Sequence, residues 1–287
     1  MIQFLIVPLL ASIILLIITS YFGIHVLKRE IIFIDIALAQ VAALGSVFAV
    51  FLEHQLDLHE VTAGSFPLSE IITYLASLVF CLIAALIFTY LKNPKIKVPI
   101  EAFIGIAYAL ATTAAVIILD KGTGGDVHVH DMLTGAILWT TWPQLIRLAI
   151  IVAIIGMFHI IYRKKFISLS EDYLKEQKPL SQIKKWDFLF YFSFSIVIIE
   201  AIHIGGILTI FAFLILPASI SALFSKRWDQ RIFYGLMSGI IATFLGLYFS
   251  WTFDISCSPL IILNLGVILV LTIVIKGILN RKPNYAS

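Results

Sequence analysis

Glu200 and His203 stand three residues apart in an apolar run, which puts a carboxylate and an imidazole on one helical face. That donor pair suits a borderline divalent cation such as zinc. Hydrogen bonding of Glu to His across a helix interface is the alternative reading of the same two residues. A second cluster, His128, His130 and Asp131, places three potential metal ligands within four residues, just after Gly122, Gly124 and Gly125. It can gather cations at a surface, or be a solvated loop. His54 and His59, with Glu53, Asp57 and Glu60, form a weaker group of the same kind. Asp35 and Gln40 are the remaining polar pair in an apolar stretch. An ionisable group in a lipid-spanning helix costs on the order of 3 kcal/mol at mid-span and marks a pathway by default.

Covalent chemistry is not indicated. The chain holds no His-Glu-x-x-His, no Gly-x-Ser-x-Gly and no Gly-x-x-x-x-Gly-Lys-Ser/Thr, so no metalloprotease, serine hydrolase or nucleotide-binding loop is legible in it. It reads as a non-enzyme with no permanently bound cofactor. Any transport against a gradient would need an ATPase in another chain.

The elements that must position these residues are set by composition. Hydrophobic residues make up 61% and charged residues 13%, with a mean hydropathy of +1.04, whereas soluble domains carry roughly 25% charge. A water-soluble domain is excluded, and the expected solvent is the lipid bilayer. The net charge of +3 is small and no basic stripe is interleaved with aromatics, so nucleic acid is not an expected partner.

A helix needs about 20 mostly apolar residues to cross a hydrocarbon core. Runs of that kind fall near 2–21, 31–52, 71–91, 99–119, 144–162, 187–202, 207–224, 232–250 and 259–279. The fold class is therefore all-α, a polytopic membrane bundle of about eight to nine spans in one domain over residues 1–287. Of the 20 Lys and Arg residues, 18 lie in five alternate gaps: 28–29, 92–97, 163–185, 226–231 and 276–282. Those gaps are expected to be cytoplasmic. The acidic, histidine-bearing gaps between them then face outward, as does the N-terminus. The first run lacks a basic leader and a small-residue exit, and reads as a retained span.

Three further features are expected. Residues 187–224 are too long for one crossing, and Gly205-Gly206 predicts a tight outer turn or a broken helix. Residues 132–142, half a span long and ending before Pro143, suit a re-entrant or interfacial segment. The hydrophilic insert at about 163–186 predicts a short amphipathic helix over 168–177, with Ser170 as N-cap and Pro179 as its stop. Such a helix is suited to docking a soluble partner. The band Ala37, Ala39, Ala42, Ala43 and Gly45 allows close helix packing and leaves room for a narrow polar path. Cys81 and Cys257 have no metal-type spacing, and a disulfide framework is not expected.

Taken together, Phe33-Ile34-Asp35-Ile36-Ala37-Leu38-Ala39-Gln40 through Gly45, Glu101 to Gly105, Met132 to Leu138, and Gly205-Gly206-Ile207-Leu208 through Leu216-Pro217-Ala218 resemble the permease subunits of zinc/manganese-type metal ABC importers. The resemblance runs in order over about residues 5–280. It implies a multi-pass protein of a prokaryotic cell membrane that imports zinc, manganese or iron as substrate. It also implies a permease homodimer, two cytoplasmic ATP-binding subunits docked on coupling helices in the 163–186 insert, and an extracytoplasmic metal-binding protein. A permease for a metal chelate or another small solute is the alternative. The chain departs from the family pattern at one place: Ile36 stands where an acidic residue precedes Ala-Leu, and Gln40 stands where a histidine follows. Asp35 and Gln40 lie about 140° apart around a helix, so they are not positioned to pinch one ion. The candidate metal-path residues are Asp35, Gln40, Glu200, His203, His128, His130 and Asp131.

Overall fold

Inside a bilayer a backbone amide has no water to bond, so each long apolar run satisfies its own N–H and C=O groups by closing into a helix. A computed structural model of the chain describes residues 2–55, 62–63, 66–92, 96–120, 137–171 and 180–280. Its helices are α1 (Ile2–Arg29), α2 (Ile34–Gln55), α3 (Leu68–Leu91), α4 (Ile100–Leu119), α5 (Trp142–Ile161), α6 (Arg163–Glu171), α7 (Leu180–Phe224), α8 (Trp228–Phe253) and α9 (Cys257–Asn280). A two-residue antiparallel pair, Thr62–Ala63 with Phe66–Pro67, precedes α3. Among the described residues, eight helices are long and apolar enough to cross a membrane.

One of the eight is double-length. Its apolar part, Lys184–Phe224, has 41 residues, about 60 Å at 1.5 Å per residue, against a core of about 30 Å. Gly206 interrupts it with φ 74° and ψ 160°, a backbone region essentially reserved for glycine. The break falls where Gly205-Gly206 predicts a broken helix.

The chain divides into two compact units: one of Met1–Leu27, Thr134–Ala149 and Ile204–Ser287, the other of Lys28–Leu133 and Ile150–His203. In the first, the His25 ring lies 4.6 Å from that of Trp228, Arg231 donates to the Ala218 carbonyl at 3.4 Å, and Lys276 reaches the Leu223 carbonyl. Trp228, Arg231 and Lys276 thus meet the same end of that unit. In the second, Arg29, Lys92 and Asp187 join at 2.9 Å and 3.4 Å, so the ends of α1 and α3 meet the first part of α7. Alternate-gap sorting requires this gathering within each unit.

In the second unit α2 and α3 run antiparallel in a tight register. Cys81 faces the Leu38 carbonyl at 3.6 Å and Ser77 donates to the Ala42 carbonyl at 2.8 Å. A Cβ on Gly45 would sit 2.8 Å from the Ser77 Cα and 2.9 Å from the Ala76 oxygen. Glycine is what lets the helices approach this closely.

The short helix of the insert differs from expectation. It covers Arg163–Glu171 and follows α5 after a single turn residue, Tyr162, whose carbonyl accepts from the amides of Lys165 and Phe166 at 2.9 and 3.2 Å. Ser170 is therefore in its last turn, buried, and is not its N-cap. Packing decided the boundary: Phe166, Leu169 and Ser170, at i, i+3 and i+4, form a buried face. Residues 172–177 of the predicted helix lie outside the described residues. Of the expected re-entrant segment, Ile137–Trp139 forms a single 3-10 turn leading to α5.

Candidate metal path

The small-residue band of α2 does leave space. Ala39, Ala42, Ala43 and Ser46, with Ser77 of α3 and Ile199, Ile202 and His203 of α7, line a cavity of about 20 Å³, room for roughly one water-sized occupant. Ala39, Ala42, Ala43 and Ser46 share a face because they recur at three- and four-residue steps, and Ile199, Ile202 and His203 do the same. The cavity lies wholly in the second unit.

Its polar groups are few. The His203 Nδ1 lies 2.6 Å from the Ile199 carbonyl. A carbonyl only accepts, so Nδ1 is the donor in this contact, and Nε2 is the ring nitrogen left for another partner. Metal-binding histidines are oriented by this same backbone contact. Ser77 spends its proton on the Ala42 carbonyl, which leaves oxygen lone pairs for a cation or water.

The other expected residues are dispersed. Asp35 is buried in the first turn of α2, and its Oδ1 has no hydrogen-bond partner among the described residues. Gln40 does not face Asp35: its Oε1 lies 3.2 Å from the Thr112 hydroxyl on α4. Glu200 is fully buried, and only His203 of the Glu200/His203 pair lines the cavity. One helical face holds both Cα atoms without sending both side chains to one place. Among the described residues no three of His, Cys, Asp and Glu gather at a point. His128, His130 and Asp131 lie outside the described residues, as does His59.

Two features escaped the sequence reading. Ser46 and Ser77 line the cavity, but serines in an apolar helix carry little signal of their own. The buried ion pair Arg29–Asp187 had one available clue: Asp187 is an acidic residue where the hydrophilic insert meets the apolar run. His159 stacks on Phe166 at 4.1 Å and meets the Ser193 hydroxyl at 2.8 Å. Cys81 and Cys257 are both free and buried.

Residues 1–276 match the model of the ABC 3 transport family. A probable metal transport system membrane protein of Chlamydia muridarum is 24% identical over 260 residues, 91% of this chain and 85% of that protein. The manganese transport system membrane protein MntB of Synechocystis is 25% identical over 188 residues, 64% of this chain and 60% of that protein. Among solved structures, PsaBC from Streptococcus pneumoniae in complex with Fab shares the fold, with a TM-score of 0.73, 21% identity, and coverage of 94% of this chain and 92% of that one.

Proposed function

Because the chain belongs to the ABC 3 transport family, we propose that it is the membrane-spanning permease of an ABC transporter importing divalent metal ions, with ATP hydrolysed by separate cytoplasmic subunits. Residues 1–287 act as one permease domain. Two such permeases pair, two ATP-binding subunits dock from the cytoplasm, and an extracytoplasmic metal-binding protein delivers the ion. Manganese is the foremost substrate, because relatives along the chain are named for manganese transport; zinc and iron(II) are the other candidates.

The cavity beside His203 is the observation that carries this reading. One oriented imidazole and serine oxygens around a space of about 20 Å³ suit a single small cation passing through. Weak, exchangeable ligands are what a path requires. A site with the affinity of a structural metal centre, whose binding is worth about 10–16 kcal/mol for zinc, would not release its ion on the timescale of transport. Asp35, Gln40 and Glu200 act as polar steps along the path in this reading, and His128, His130 and Asp131 as collectors at the outer mouth.

ATP binding closes the ATPase pair, and α6 passes the displacement into the permease to switch access from one side to the other. Vesicles holding the permease and its ATP-binding subunits test the substrate assignment. Uptake of manganese, zinc, iron(II) and a metal chelate is compared at equal concentration. Saturable uptake of a bare cation, weakened by His203→Ala, is the expected result. Uptake of the chelate alone would replace this reading with that of a chelate permease.

A further inference from the structure

Helix α6 is fastened to the rest of the second unit by charge as well as by its apolar underside. Its last two residues are each held by one of the last two residues of α1. Arg29 donates from Nε to the Ser170 hydroxyl at 2.8 Å, and Lys28 meets Glu171 at 3.1 Å. Arg29 also donates from Nη1 to Asp187 at 2.9 Å, and its guanidinium lies 3.8 Å above the Phe190 ring, both on α7. The second Asp187 oxygen takes Lys92, just past α3, at 3.4 Å. The side chains of Arg29 and Asp187 are 0% and 1% exposed, whereas Lys28–Glu171 lies at the surface.

We propose that Arg29 is a positioning residue that locks α6 to α7 and α3, so that displacement of α6 moves the walls of the path instead of sliding over them. This rests on the permease reading above. The reasoning is mechanical. Burial of an apolar face such as that of Phe166 and Leu169 is non-directional and tolerates slip. A planar guanidinium bonded to a serine on one helix and a carboxylate on another fixes both in register. Breaking such a pair in a buried site strands a charge, so under load the helices move together. Apolar residues of equal volume would pack as well, which leaves register as the property the ion pair specifically supplies. Arg163 and Lys164, exposed on α6, face the solvent from which the pushing subunit would approach.

The test reads ATP hydrolysis and manganese(II) uptake in the same proteoliposomes, with the complete permease and its ATP-binding subunits. Ser170→Ala removes the link from Arg29 to α6 and leaves Arg29–Asp187 and Lys28–Glu171 intact. Arg29→Lys keeps the charge but cannot reach both partners with one planar fork. Loss of a hydrogen bond to a charged group predicts ions moved per ATP falling by about tenfold, with hydrolysis and assembly unchanged. A wild-type ratio in both variants would overturn the proposal. So would a proportional loss of uptake and hydrolysis in both, which is the mark of a purely structural brace. Failure of the wild type to take up manganese with ATP would instead overturn the permease reading, and this proposal with it.

Discussion

Ser77 of α3 donates its hydroxyl to the Ala42 carbonyl of α2 at 2.8 Å, and both residues line the same cavity. The bond that sets the register of the two helices therefore also shapes the space between them. Packing and path are not separable here.

Gly45 shows the consequence. A Cβ there would meet the Ser77 Cα at 2.8 Å, and backbone, unlike a side-chain tip, cannot swing aside. Gly45→Val is expected to cost roughly 1–3 kcal/mol through overpacking, read as a lowered thermal midpoint in detergent. Ser77→Ala removes a single neutral hydrogen bond and is expected to cost only about 1 kcal/mol.

The pair Arg29–Asp187 gives a different signature. Asp187→Ala leaves a buried guanidinium short of its counter-charge, a loss of about 3–5 kcal/mol, whereas Arg29→Met combined with Asp187→Leu recovers most of that stability. Thermal unfolding of the two variants checks the contrast. If register is what the ion pair supplies, the apolar pair regains the midpoint and not the coupling.

Much of this architecture was legible because the bilayer imposes it. The apolar runs that form the eight candidate spans and the Gly205-Gly206 break follow from the requirements of lipid and of a glycine-only backbone state. The start of α6 was not. Capping signals at Ser170 and Pro179 point to a later helix, and the apolar face of Phe166 and Leu169 overrode them. Nor was the partner of Arg29, which is 158 residues away at Asp187. Side-chain direction was also hidden: Glu200 and His203 share helical spacing, but only His203 opens onto the cavity.

His203→Ala removes the one imidazole at the cavity and is expected to lower manganese uptake at least about tenfold, since even supporting residues of metal sites are worth 10–100-fold. His203→Gln, which keeps a neutral donor and acceptor, should retain more. Initial rates of uptake at subsaturating metal measure both.

Restoring the family pattern on α2 should tighten ion binding. Ile36→Asp with Gln40→His places carboxylate and imidazole four residues apart on one face. Zinc is expected to gain over manganese, because imidazole favours the later metal of the series. Competition between the two ions for uptake decides this, and an unchanged preference would remove α2 from the path.

Sidedness is equally accessible. Cys81 and Cys257 are buried, so a cysteine introduced at exposed Lys164 of α6 provides a clean label. A membrane-impermeant maleimide is expected to modify Lys164→Cys in inside-out vesicles and to spare it in intact cells. Modification in intact cells would reverse the topology on which docking of an ATPase at α6 depends.

The most direct test is manganese uptake into vesicles carrying the permease with either an active ATP-binding subunit or one that binds ATP without hydrolysing it. Uptake that requires ATP and disappears with the inactive subunit is the predicted result. Equal uptake in both preparations, driven by the ion gradient alone, would contradict it.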